Sequence, residues 1–139
     1  MAALGAVLML GGASAARPVP DPVADPIRFV VEGATNTGVS LAASGRNVVV
    51  TWAASAPGST DVYAAVSRDD GQTFGSATRV NDLAGDARVS GEQAPRASVG
   101  SGVAVVWCSK AGTSARIRAA RSGPGAINGS PGARLETWA

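Results

Sequence analysis

The residues that could carry chemistry in this chain are few, and the residue types that are missing exclude several reactions. The 139 residues contain no His, so a Ser-His-Asp set, a Cys-His set and a His-ligated zinc site are excluded. The single cysteine, Cys108, excludes an internal disulfide and a cysteine-rich metal cluster, and nothing near it predicts a reactive thiol. We therefore predict neither a metal site nor a cofactor.

Two adjacent carboxylates, Asp69 and Asp70, invite an acid–base or calcium interpretation, but a tight turn explains them better. They lie in the stretch Ser67-Arg68-Asp69-Asp70-Gly71-Gln72-Thr73-Phe74. An Asp at position 69 can accept backbone N–H groups within a turn, and Gly71 can supply the positive φ that closes it. The flanking hydroxyls would satisfy neighbouring backbone groups, and the aromatic ring would pack back onto a sheet. The predicted site is therefore a structural turn built from Ser67, Asp69, Gly71, Thr73 and Phe74.

Four other side chains have both a chemical and a structural interpretation, and the structural one is favoured for each. Arg28 could hold a substrate carboxylate, but it directly follows a proline-rich stretch and is expected to be an exposed charge. Tyr63, the only tyrosine, could act as a nucleophile but fits a half-exposed strand position. Trp52 and Trp107 could stack on a sugar, although packing is the simpler account. No catalytic residue is assigned.

The N-terminal region is predicted to direct export. An apolar run over residues 4–10 is followed by small residues, and Ala13-Ser14-Ala15 has the A-x-A form that signal peptidases cleave. The run is too short to span a bilayer, so no membrane span is expected. No basic residue precedes it, which indicates that the basic n-region is missing. We assign residues 1–16 as a signal peptide with its cleavage signal at Ala13 and Ala15, and expect a secreted, periplasmic or cell-envelope protein.

The charge distribution gives no reason to expect nucleic-acid binding. Twelve Lys plus Arg residues face ten Asp plus Glu residues, for a net charge of +2. The arginines are scattered along the chain rather than clustered, and a basic patch is the electrostatic requirement for a phosphate backbone.

The rest of the chain is predicted to form short strands arranged as an internal repeat. Residues 17–37 are a proline-rich linker leading into the first strand, and short apolar runs separated by Gly, Ser, Pro and Asp follow. A shift of 55 residues superposes Trp52 on Trp107, and 10 of the 26 positions from 42 to 67 are then identical. A repeat of this length with four short strands is typical of a propeller blade.

The turn at residues 67–74 fits the pattern S-x-D-x-G-x-T-F/W of the Asp-box, and the chain resembles the bacterial neuraminidase (sialidase) repeat proteins over residues 38–137. The resemblance implies an all-β, sialidase-like β-propeller, with about two four-stranded antiparallel blades present. Residues 38–94 form the first repeat, and residues 95–139 form a truncated second repeat. The second box is degenerate, since Pro124 stands at the position of Asp69. Trp138 is expected where a third blade would begin.

The resemblance also implies a function, hydrolysis of terminal sialic acids from glycoconjugates. Because a propeller ring needs more blades than two, we expect the chain to be a fragment that is inactive by itself. The alternative is a non-catalytic propeller module that binds glycans or proteins at the cell envelope. Expected partners are sialylated or other glycans, and self-association through open blade edges is a third interpretation.

Overall fold

The computed structural model describes residues 25–90, 93–110, 116–122 and 136–138. Within these ranges the chain is all-β, and no helix there is long and apolar enough to cross a membrane. The strands are β1 (Thr35–Ser44), β2 (Asn47–Ala56), β3 (Ser59–Ser67), β4 (Thr78–Arg79), β5 (Ala87–Arg88), β6 (Arg96–Val99), β7 (Val103–Ser109), β8 (Arg116–Arg121) and β9 (Glu136–Trp138). The predicted all-β class is therefore confirmed.

The strands form two antiparallel sheets. The first has the order β1-β2-β3-β4. In the second, β5 and β6 both pair with β7, which is followed by β8 and β9. Because β5 and β6 lie end to end along one edge of β7, this sheet is also four strands wide. The β-branched run at the start of β2 suits this central position, which is paired on both sides.

Each sheet has two faces, which we name by the tryptophan that one of them carries. The Trp face of the first sheet holds Val50, Trp52 and Ala65, and its back face holds Val49, Thr51, Val62 and Ala64, because successive strand residues alternate in direction. In the second sheet the Trp face holds Val103, Val105, Trp107 and Ala120, and the back face holds Ala104, Val106, Cys108, Ile117 and Ala119.

The main core lies where the back face of the first sheet packs on the Trp face of the second. It joins buried residues of both sheets in one cluster, including Val49 and Val62 from the first and Val105 and Trp107 from the second. A smaller cluster covers the Trp face of the first sheet, where Phe29, Val31 and Phe74 pack on it. The first sheet is thus covered on both sides, which explains why β2 is buried on both faces.

The predicted repeat is reproduced in the central strands but not in the first strand of each sheet. The pair Val49↔Val66 becomes Ala104↔Arg121 under the shift of 55 residues, as the repeat requires. However, Ala42 pairs with Val49 whereas Ala97 pairs with Val105, a slip of one position. A one-residue slip turns a strand over, and as a result both alanines point into the shared core.

The first strands of the two sheets approach closely at a bulge in β1. The register of β1 shifts between Thr37 and Ser40, and Gly38 there has a φ of +62°. A Cβ at Gly38 would lie 3.2 Å from the Ala94 Cβ, so the absence of a side chain permits the contact. The Ala97 N–H also donates to the Ser40 hydroxyl at 3.3 Å.

The last strand corrects one expectation about Trp138. This residue lies in β9, opposite Ala119, within the second sheet and not at the start of a third blade. The equivalent pair in the first sheet is Ala64↔Thr78. A shift of 55 residues from Thr78 gives position 133, five residues before Trp138. The connection between β8 and β9 is therefore five residues longer than the connection between β3 and β4. Among the described residues the two sheets stack on one another, and no closed ring of sheets is formed.

Candidate functional site: the Asp-box turn and the aromatic groove

The turn between β3 and β4 is held by the predicted Asp-box residues. The Ser67 hydroxyl donates to Asp69 Oδ1 at 2.7 Å and accepts the Gly71 N–H at 2.9 Å. Asp69 Oδ1 also accepts the Thr73 N–H at 2.9 Å, and Asp69 Oδ2 accepts the Thr73 hydroxyl. The Ser67 hydroxyl and the Asp69 carboxylate thereby accept backbone N–H groups within the turn, as expected from the sequence.

The backbone of this turn enters the left-handed region at two successive residues, Asp70 with a φ of +63° and Gly71 with a φ of +85°. The Asp70 N–H donates to the Arg46 carbonyl at 3.0 Å, so the Asp-box is fastened to the β1–β2 turn. The two side chains also form an exposed ion pair at 3.4 Å, which contributes little to stability. The Asp70 side chain is exposed, and its backbone joins the two turns.

The electrostatics of the turn argue against acid–base chemistry at Asp69. Its hydrogen bonds from Thr73 and Ser67 lower the pKa of the carboxyl group to about 2, because they favour the charged form. A general acid must hold a proton near neutral pH. Asp69 is therefore an ionised structural acceptor.

Phe74 leaves the turn and joins a cluster of aromatic rings on the Trp face of the first sheet. Its ring meets Phe29 edge-on at 4.9 Å between centroids. Phe29 lies 5.5 Å from Trp52, and Trp52 stacks on Tyr63 at 6.1 Å. The predicted packing of Phe74 back onto the sheet is confirmed, and Phe29 is the member that the sequence did not reveal.

The burial of both tryptophans makes them unsuited to sugar stacking. Trp52 and Trp107 are each only 2% exposed. The Trp52 indole N–H donates to Asn36 Oδ1 at 3.1 Å, and the same oxygen accepts the Val31 N–H at 3.0 Å. Trp52 thus anchors the incoming chain, and the packing interpretation is supported for both rings.

A groove runs beside the aromatic cluster, between residues 27–30 and the Asp-box turn. It encloses about 330 Å³ and is lined by polar side chains at Arg28, Gln72 and Thr73 and by the rings of Phe29 and Phe74. A second hollow of about 350 Å³, lined by Asn36, Val39 and Trp52 among others, adjoins it at Phe29. Arg28 is the only cationic residue among the described residues that line the groove. An aromatic surface with polar groups at its rim is a common form of ligand site.

A partly buried charge cluster between the two sheets, with Asp82 at its exposed edge, was not anticipated from the sequence. Arg118 Nη1 lies 3.3 Å from Asp82 Oδ1, and Arg118 Nε lies 3.8 Å from Asp86 Oδ2. Burial raises the pKa of Asp86, while the nearby Arg118 charge opposes that rise. No hydrogen-bond partner is found for Asp86 Oδ1, Trp107 Nε1 or Arg118 Nε within the described ranges. Arg118 is more than 30 positions from both aspartates in the sequence, so no local motif marks the cluster.

The remaining predicted sites divide between described and undescribed residues. Cys108 is half-buried with a free thiol, on the back face of the second sheet. Ala13 and Ala15, the predicted cleavage signal, and the degenerate box at 123–132 lie outside the described residues. In the described ranges no group of three or more His, Cys, Asp or Glu residues could hold a metal ion.

Comparison with known proteins finds no match to this chain among protein-family models, curated proteins or solved structures. The likeness to sialidase repeat proteins therefore depends on the Asp-box residues and on the repeat in the sequence.

Proposed function

We propose that this chain is an exported, sialidase-like Asp-box repeat module that binds anionic glycans without cleaving them. The observation that carries the proposal is the position of Arg28 on the groove beside the intact Asp-box turn. A guanidinium group binds a carboxylate through two parallel hydrogen bonds. Apolar rings in the same groove offer a surface for the C–H groups of a sugar, so a sialic acid, which has both features, fits the lining.

The hydrolytic alternative, which the sialidase resemblance implies, needs an activated nucleophile and an acid. Tyr63 is the tyrosine available, and its ring is stacked on Trp52. Among the described residues, no carboxylate forms a hydrogen bond with its hydroxyl, although such a base is what activates a nucleophile of this kind. Asp69 is ionised and engaged in the turn. A binding module is therefore the better supported proposal.

The binding proposal is tested by titrating the purified chain with 3′-sialyllactose and, separately, with lactose. We expect binding of the sialylated sugar only. Arg28→Ala should weaken it about tenfold or more, since a charge-assisted hydrogen bond contributes about 1.5–3 kcal/mol. Arg88→Ala, which removes an exposed charge from the second sheet, is the matched control and should bind like the wild type. Equal affinity for lactose, or no effect of Arg28→Ala, would refute the proposal.

The same samples test hydrolysis and export. Sialic acid released from 3′-sialyllactose is measured over many hours, and sustained turnover that is lost in Tyr63→Phe would replace the binding proposal with the enzymatic one. For export, the full chain is produced in a host with a secretion pathway and its mature N-terminus is sequenced. Cleavage directly after the Ala13-Ser14-Ala15 signal, at residue 15 or 16, is expected, whereas an intact chain retained in the cytoplasm would contradict export.

A further inference from the structure

The groove beside the aromatic cluster has two walls that are attached to the first sheet in different ways. The Asp-box turn forms one wall, and its Asp70 N–H donates to the Arg46 carbonyl at 3.0 Å. Directly after the turn, the Gly75 N–H donates to the Val66 carbonyl at 3.0 Å. Residues 27–30, which we name the strap, form the other wall. Within the described part of the chain, no backbone hydrogen bond holds the strap.

Phe29 is the strap residue that packs on the Trp face of the first sheet. Its ring lies 5.5 Å from Trp52 and 4.9 Å from Phe74 between centroids. The neighbouring Ile27 and Val30 are 47% and 52% exposed. A segment held by one packed ring opens at a lower free-energy cost than the strands beneath it. Phe29 is therefore the latch of the strap.

The strap joins a fixed point of the backbone at Val31, which the Asn36 side chain holds. The Val31 N–H donates to Asn36 Oδ1 at 3.0 Å, and Asn36 Nδ2 donates to the Val31 carbonyl at 3.3 Å. The same amide oxygen accepts the Trp52 indole N–H at 3.1 Å, so this point is tied to the floor of the groove. Because Val31 is held and Val30 is not, a movement of the strap has its hinge between these two residues.

Phe29 also separates two hollows on this face. The groove of about 330 Å³ and the hollow of about 350 Å³ both border Phe29 and Trp52. Displacement of the Phe29 ring would join them into one cleft above the Trp52 indole. Trp52 is only 2% exposed while the strap lies on it, so its environment reports whether the strap is closed or open.

We propose that the strap opens and closes about the hinge at Val31, and that an anionic glycan closes it by joining Arg28 to the Asp-box turn. The inference rests on the proposed function, because it assigns the ligand carboxylate to Arg28. Arg28 lies on the strap, whereas Gln72 and Thr73 on the opposite wall belong to the fastened turn. A sugar that contacts both walls binds the closed strap better than the open one, so it shifts the equilibrium toward closure.

The test labels the full chain with fluorotryptophan and measures fluorine NMR relaxation dispersion, which detects exchange on the microsecond to millisecond timescale of lid movements. Trp107 is the matched control. It is 2% exposed like Trp52, but it is buried between the two sheets and not beneath the strap. We expect exchange at Trp52 and none at Trp107. Trp52→Phe and Trp107→Phe assign the two signals.

Variants of the strap separate the latch from the ligand contact. Phe29→Ala removes the latch, so the Trp52 signal should move to its open-state position and lose its exchange, while the Trp107 signal and the far-ultraviolet circular dichroism stay unchanged. Ile27→Ala, at an exposed strap position, is the matched control and should behave like the wild type. Arg28→Ala should keep the exchange of the free protein but lose its response to the sugar.

Added 3′-sialyllactose should suppress the exchange at Trp52, whereas lactose should leave it unchanged. At a sialyllactose concentration of about 100 times its Kd, the ratio of closed to open strap should rise about 100-fold, because the ligand binds the closed form.

Two outcomes would overturn the strap movement: no exchange at Trp52 in the free protein, or equal exchange at Trp107. Sialyllactose that binds in a titration without changing the exchange would overturn closure by the ligand. Failure of the sugar to bind would refute the proposed function and closure with it, whereas the ligand-free exchange decides by itself whether the strap moves.

Discussion

The Ser122 hydroxyl accepts a hydrogen bond from the Val103 backbone N–H at 3.0 Å, whereas its repeat counterpart Ser67 bonds within the Asp-box turn. The difference follows from the sequence, since Pro124 replaces the aspartate that would engage the hydroxyl. Without that acceptor, the same serine bonds across the sheet to the neighbouring strand. The equivalent serines of the two repeats thus have different hydrogen-bond partners, and the residues that follow them differ.

Asp69 should give the protein an acid-dependent share of its stability. Its folded-state pKa of about 2 lies below the ordinary 3.8, so the stabilisation is fully present above about pH 4 and is lost as the pH falls toward 2. We expect Asp69→Ala to lower Tm at neutral pH, and the gap to the wild type to close on acidification. Asp25→Ala, at an exposed site, is the control and should show no such closure. Thermal melts between pH 7 and pH 2 measure both, and a constant gap would contradict the assignment.

Gly71 should tolerate alanine poorly for conformational reasons. Its φ is +85°, and a Cβ there would meet only Val48 Cγ2 at an ordinary 3.9 Å. The expected loss is about 1–2 kcal/mol in the free energy of unfolding, the usual penalty for an L-residue in the left-handed region. Gly100→Ala, where a Cβ meets nothing within 4 Å, should change stability by less than about 0.5 kcal/mol. Urea denaturation measures the free energy of unfolding of both variants. Equal losses of stability in the two would point to a cause other than the positive φ at Gly71.

Asn81 should be the most important polar residue in the connection between the sheets. It is 2% exposed, accepts the Val62 N–H at 2.8 Å and donates to Asp61 Oδ1 at 2.7 Å. We expect Asn81→Ala to destabilise the protein by about 1–3 kcal/mol, because a buried N–H is left without its acceptor. Leu83→Ala, two residues on and exposed, serves as the control. A loss no greater than that of Leu83→Ala would show that water replaces the amide without cost.

Arg118 should stabilise the ionised form of Asp86. Arg118→Gln removes the cation that offsets the rise in pKa caused by burial of this carboxyl group, so the pKa of Asp86 should rise further. A raised folded-state pKa means that stability is lost as the pH increases through it. We expect a loss of about 1–3 kcal/mol near neutral pH that diminishes on acidification. Denaturation at several pH values measures this.

The control for that change is Arg116→Gln, at an exposed position of the same strand, which should be nearly neutral. Adding Asp86→Asn to Arg118→Gln should restore part of the lost stability and remove its pH dependence. If the double variant is no more stable than Arg118→Gln alone, the arginine acts through packing and not through its charge.

The sequence by itself determined the features that depend on neighbours along the chain. The Asp-box hydrogen bonds join residues within a few positions of one another, so the turn and the role of Asp69 as its backbone acceptor could be predicted. The Thr73 hydroxyl differs from the expectation, since it donates to the Asp69 carboxylate and not to a backbone group. The alternation of apolar residues located the central strands, and the 55-residue repeat located their equivalents.

Only the tertiary structure decided which face of each strand is buried and what lies against it. The slip that turns Ala97 toward Ala42 depends on how closely two sheets pack, and the pairing of Arg118 with Asp86 joins residues 32 positions apart. Such contacts are selected by the free energy of burying surfaces together, which no single segment contains. The same reason explains why Ile117, with the strand pattern of a core residue, is left exposed on the outside of the second sheet.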